Sequence, residues 1–337
     1  GAHGRALGTA ALAITLSVAL AGCAGSDTIA TGSRPSAGQA PGTSLTQRAA
    51  LALASLPGYQ PPAALGNGSR GRPLLGADGD ITWTVYDQQN KPIDNYDPKQ
   101  QVAWGSGSEY TEIPGVLTFR GNNARSAPSF GTANITDKKL SIAWTHDIGA
   151  VSADGSYFPG AGWTGQPLLV KWPADTKKAM KLTAAQVADP AFVEVIYPVF
   201  DGSVYRLSLA DGSVTRPKIE GKWGFKGTGS IDPRGYPLLY AGQGLNENGN
   251  EKGPWQYHVF DLIQNKQVAK ISGTDDVSHR QDPVGWGAFD SSALIDRRSD
   301  TLIEPGENGI VYKAKLNATF DAKAGKVSVK PELTKMT

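Results

Sequence analysis

The chain has 337 residues, with 33 basic and 31 acidic side chains, a net charge of +2 and no Lys/Arg run longer than two. Charge spread this evenly excludes the basic stripe that a nucleic-acid partner needs. Glycine at 41 and proline at 22 exceed their usual combined share of roughly 12%, so turns are frequent, and the single cysteine excludes a disulfide framework.

An apolar and small-residue run of 16 residues, Ala6 to Ala21, follows a start carrying one cation, Arg5. At 1.5 Å per residue it falls short of the roughly 20 residues of a resident membrane span and reads as a signal-peptide core over residues 1–22. It ends in Leu20-Ala21-Gly22-Cys23, which resembles the bacterial lipobox. That resemblance implies a lipid on Cys23 and places the protein in the cell envelope, held on the extracytoplasmic face of a membrane. From Ala24 to about Thr43 the chain is Gly, Ser, Thr, Ala and Pro, too poor in apolar surface to offset chain entropy, so a disordered tether is expected. Ser44 to Ser55 predicts a short helix, with Ser44 and Gln47 at capping-box spacing and Pro57-Gly58 as its stop. After a Gly/Pro-rich loop to Asp80, the alternation Ile81-Thr82-Trp83-Thr84-Val85-Tyr86 predicts the first strand. Residues 23–80 are thus a lipid-anchored linker and 81–337 the folded part.

Beyond residue 111 a single stretch, Leu182 to Ala188, reads as helical, and the rest predicts an all-β class with short strands. Three segments share one pattern: Val204-Tyr205-Arg206-Leu207, Tyr257-His258-Val259-Phe260 and Ile310-Val311-Tyr312-Lys313. Aligning Leu209, Leu262 and Leu316 spaces them by 53 and 54 residues. A Trp-Gly marker recurs upstream at Trp163, Trp223 and Trp286, each followed by a short apolar strand. One unit then holds four antiparallel strands, with Asp201-Gly202 and Asp211-Gly212 supplying turns that need positive φ at glycine. Four strands per unit of about 50 residues is the pattern of a β-propeller blade; a β-sandwich would not need regular copies.

The run Asp201-Gly202-Ser203-Val204-Tyr205-Arg206-Leu207 with Asp211-Gly212 resembles the quinoprotein-type, PQQ-binding-like propeller repeat, as does Gly115 to Arg125 with Ile142-Ala143-Trp144. The likeness covers about residues 111–320 and implies an all-β propeller of four-stranded antiparallel blades. About four blades fit residues 111–337, fewer than the seven or eight of quinoprotein dehydrogenases, so an N-terminal piece of a larger ring is expected, with an open edge on its last sheet. The enzymes of that superfamily hold PQQ and calcium and often close a disulfide over the quinone. The lone Cys23, already assigned to the lipid, cannot form one.

No histidine pair at metal spacing and no nucleophile elbow occurs. Asp232, Asp290, Glu304 and Glu307 fall at strand ends, where they either bind calcium or exchange protons, or else cap turns. Trp163, Trp223 and Trp286 either form an aromatic platform at one mouth of the channel or dock adjacent blades. Asn246 to Asn250 lacks the terminal acids of a calcium loop and reads as an exposed turn. The expectation is a non-catalytic, lipid-tethered propeller that binds an envelope protein or peptide and uses no cofactor. Its nearest likeness is the propeller lipoprotein of the outer-membrane β-barrel assembly machinery, a fold-level analogy. The alternatives are a PQQ- and calcium-dependent dehydrogenase and a sensor of cell-wall glycan or peptide.

Overall fold

The structure is a computed structural model that describes residues 83–98, 101–162, 165–275, 277 and 285–337. The signal peptide, Cys23, the tether, the 44–55 helix and Trp163 lie outside the described residues. What is described is predominantly β, built from antiparallel sheets, in agreement with the all-β expectation.

Three sheets repeat one sequential order. The first runs Leu168–Val170, Glu194–Pro198, Ser203–Ser208, Ile219–Glu220. The second runs Ser230–Ile231, Leu238–Gly242, Gln256–Asp261, Lys266–Ser272. The third runs Leu294–Asp296, Thr301–Pro305, Val311–Lys315, Glu332–Met336. The third strand of each sheet lies within a few residues of the recurring segments at Val204, Tyr257 and Ile310. The Ser203–Ser208 strand is buried at all six positions because both faces of its sheet are covered.

The turns follow from local chemistry. Asp201 Oδ1 accepts from the Ser203 amide at 2.8 Å, and Asp211 Oδ1 accepts from the Ser213 amide at 3.0 Å. In each, the following glycine has positive φ, 85° at Gly202 and 69° at Gly212. Asn246 to Asn250 is the turn of a small hairpin, Glu247–Asn248 with Glu251–Lys252.

The expected helix forms over Ala184–Ala188, closed by a capping box in which Thr183 Oγ1 accepts from the Gln186 amide and Gln186 Oε1 from the Thr183 amide. A second helix, Ala174–Ala179, was not legible, since Ala-Asp-Thr-Lys-Lys-Ala has no apolar stripe. It is held instead by Lys177, whose buried Nζ donates to the Gln186 and Asp189 carbonyls at 2.8 and 2.7 Å. Those are carbonyls near the end of the neighbouring helix, which a cation satisfies.

The main core runs through all three sheets, with Ile196, Ile231, Leu239, Ile295 and Tyr312 buried in it. A smaller cluster, Val195, Val199, Tyr205 and Leu207, fills the far face of the first sheet beneath Trp144. The described stretch from Val85 to Val116 corrects the unit arithmetic. Among the described residues three sheets, not four, show the full four-strand order, because this stretch serves as a belt. Val85–Tyr86 pairs with Lys335 and Met336, so the outer edge of the third sheet is partly covered instead of open. Further along, Ala103 donates to Asp296 at 3.0 Å and the Tyr110 hydroxyl accepts from the Ile295 amide at 3.0 Å. Gly115 and Val116 then pair with Val170 and Leu169, so the belt joins the third sheet to the first.

Candidate functional site

The innermost strands meet on a polar line. Thr118 Oγ1 and Ser230 Oγ are 2.9 Å apart, Ser230 Oγ donates to the Ala293 carbonyl at 2.8 Å, and Ser292 Oγ donates to the Thr228 carbonyl at 2.6 Å. Sheets approach so closely here that a β-carbon on Gly227 would collide with the Asp290 carbonyl oxygen. Arg125 enters the same region and donates to Thr118 Oγ1 and the Phe119 and Ser292 carbonyls.

Three of the four candidate carboxylates gather at one end of this line. Glu304 is fully buried; its Oε1 accepts from Ser291 Oγ at 2.7 Å, while Oε2 has no hydrogen-bond partner. Burial pushes its carboxyl well above the usual range, with Ser291 and Arg125 opposing and Asp290 adding. Asp290 is ion-paired with Lys226 through Oδ2, and its Oδ1 is buried without a partner. Burial raises Asp290 too, against the pull of Lys226. Glu307 is exposed at the rim and accepts from Trp286 Nε1 at 2.5 Å. The Tyr257 hydroxyl is buried and unpartnered; burial and the Glu304 charge push its phenol up. From inside outward the line offers a phenol, a carboxyl favoured in its protonated form, a hydroxyl and a Lys-Asp pair, enough to bind a small polar group by hydrogen bonds.

Asp232 lies at the opposite end of the sheets. Arg234 grips it through Nη2 at 2.6 Å and Nε at 2.8 Å and reaches Asp300 at 2.7 Å, tying the second sheet to the third. The Tyr240 hydroxyl donates to it as well, at 3.1 Å. Trp286 and Trp223 flank the loop before Gln256: Trp286 packs on Trp255 with centroids 4.8 Å apart, and Trp223 packs on Gly253, where a β-carbon would strike its indole. Trp223 therefore sits apart from the carboxylates, in a groove between the first and second sheets.

Lys226, Ser291, Arg125 and Tyr257 escaped the sequence reading. Only Lys226 had a usable signal, three residues after Trp223, near the place that Asp290 takes four residues after Trp286. No protein-family model matches the chain, and no curated protein matches it.

His258 in the groove is nearly buried, with Nε2 2.7 Å from Gln243 Oε1 and Nδ1 against Gln267. Burial lowers its pKa to about 4, which the Gln267 bond opposes and Lys270 reinforces. Between the ordinary histidine value of about 6.5 and about 4 the unfolded chain binds a proton that the folded chain refuses. Stability from this group is therefore complete above that window and is lost as pH falls through it, by about 3 kcal/mol at most. Asp290 and Glu304, both raised, change with the opposite sign, so comparison with a variant isolates the histidine. His258→Tyr, the residue at this level in the other two sheets, is expected to abolish this part of the slope in urea melts at about pH 5 and 7.5. An unchanged slope would assign it elsewhere.

Proposed function

We propose that this chain is a non-catalytic β-propeller segment of the PQQ-binding-like repeat type, lipid-anchored at Cys23, that serves as a protein-interaction scaffold on the bacterial cell envelope. The observation that carries it is the repetition of one four-strand antiparallel order in three consecutive sheets whose inner strands meet on a common polar line. Such stacked units give a rigid body with many loops at its ends. The candidate carboxylates support the same reading. Asp232 is spent on Arg234 and Tyr240, Asp290 on Lys226, and Glu304 in part on Ser291. On the far side of the first sheet, Leu140 and Ile142 stand 89% and 82% exposed beside the anchored Trp144, an apolar display of the kind that marks interaction surfaces.

The calcium and PQQ alternative has poorer support. Calcium takes six to eight oxygen ligands, whereas Asp290 is already paired with Lys226, and among the described residues no three acidic, histidine or cysteine side chains are placed to share a metal ion. The buried Glu304 and Asp290 oxygens that lack partners leave acceptor capacity for a small polar ligand, which suits the glycan or peptide sensor. Labelled palmitate should be incorporated into the full chain in bacteria and lost in Cys23→Ser, and cross-linking in intact envelopes should capture one reproducible partner. A tight stoichiometric complex with PQQ and calcium that oxidises substrate with a dye acceptor would overturn the scaffold. A tryptophan emission change with cell-wall fragments would favour the sensor.

A further inference from the structure

Aligning Leu209, Leu262 and Leu316 puts Tyr205, His258 and Tyr312 at one level of the repeat. In the third sheet the Tyr312 hydroxyl donates to the Ser272 carbonyl at 3.0 Å, at the end of the second sheet's outer strand, and so closes the space between those sheets. His258 makes no such crossing. Its ring is held inside its own sheet by Gln243 and Gln267, and the space between the first and second sheets stays open as a groove of about 520 Å³. That is within the range of ligand sites, roughly 300–1,000 Å³.

The groove has three chemical features. Its floor is aromatic: His258 stacks on Phe260 at 5.5 Å, and Phe225 stands edge-on to both, at 5.6 and 6.0 Å. One wall is the Ile219–Glu220 strand, the outermost of the first sheet, which pairs with Ser203 and Val204 alone among the described residues. At the mouth Lys218, Lys222 and Lys266 face a single lining carboxylate, Glu220. Lys218 pairs with Glu220 at 3.6 Å, and Lys222 with Glu251 while lying 5.3 Å over the Trp223 ring. Exposed pairs of this kind are worth little, so a ligand's carboxylates can replace them.

We propose that this groove binds a short acidic peptide in extended form, with one large apolar residue as its anchor. The peptide backbone pairs with the open side of Ile219–Glu220, the anchor lies on Phe225 and Phe260, and its carboxylates meet the three lysines. An edge strand selects a peptide over other anions, and the excess of lysine selects an acidic one. The inference rests on the scaffold reading and names the chemistry of its partner.

The test uses the full chain and the fluorescein-labelled pentapeptide Asp-Glu-Phe-Asp-Glu. Saturable binding with a change in Trp223 emission is expected, weakened by salt, by replacing the peptide's Phe with Ala, and by N-methylation of its backbone. Lys218→Ala, Lys222→Ala and Lys266→Ala combined should weaken it on the order of tenfold, with an unchanged melting temperature. Equal binding of Lys-Lys-Phe-Lys-Lys, undiminished binding by the triple variant, or better competition by a single-stranded oligonucleotide would overturn the proposal. If the triple variant still captures the envelope partner at wild-type yield, the groove fails and the scaffold stands; if neither peptide nor partner is bound, both fail.

Discussion

Arg206→Ala is expected to lower unfolding free energy by about 3–5 kcal/mol, the cost of stranding a buried charge. Arg206 and Glu194 form an ion pair at 3.0 Å with both side chains fully buried. The carboxylate also accepts from Trp172 Nε1 at 2.7 Å and Thr215 Oγ1 at 2.6 Å, so it keeps partners but loses its counter-charge. The guanidinium further donates to the Leu262 carbonyl at 2.8 Å and to Asn265, which makes it the bolt between the first and second sheets. Urea denaturation measures the loss. Replacing both partners by apolar residues, Arg206→Met with Glu194→Leu, should recover most of it, because the desolvation cost disappears with the charges. A loss under about 1 kcal/mol in the single variant would mean that water reaches the carboxylate.

Phe289→Ala should cost a similar amount, about 3–5 kcal/mol. Phe289 is fully buried between the second and third sheets, 5.4 Å from the Tyr257 ring and 5.6 Å from that of Tyr312. Its amide donates to the Gln243 carbonyl at 2.8 Å, so the backbone is pinned and cannot follow the shrinking side chain. A cavity would therefore remain directly before Asp290. Phe289→Leu should be clearly milder in the same urea denaturation, since it restores much of the volume. Equal losses for Ala and Leu would show that ring geometry, not volume, matters there.

Much of the all-β architecture could be read from local pattern. A segment recurring at spacings of 53 and 54 residues located the Val204, Tyr257 and Ile310 strands, and the Asp201-Gly202 and Asp211-Gly212 turns carry their own hydrogen bonds and dihedrals. The candidate site was legible only in part. Asp290, Glu304 and Glu307 were singled out by position at strand ends, but so was Asp232, which lies at the other end against Arg234. Nothing local separates the two ends, since an antiparallel strand offers both. The helix at Ala174 was missed because its holding contact is a lysine, not an apolar face.

The four-strand unit, its turns and its recurrence were legible along the chain, because each strand and turn is set by neighbours a few residues apart. That the described residues from 85 to 116 form a belt, that Lys226 meets Asp290, and that His258 leaves a groove where Tyr312 closes one are outcomes of packing. Those outcomes depend on pairs such as Thr118 with Ser230, 112 residues apart, and Ala103 with Asp296, 193 apart. Contacts of that range form only when packing brings the strands together, and no periodicity in the chain encodes them.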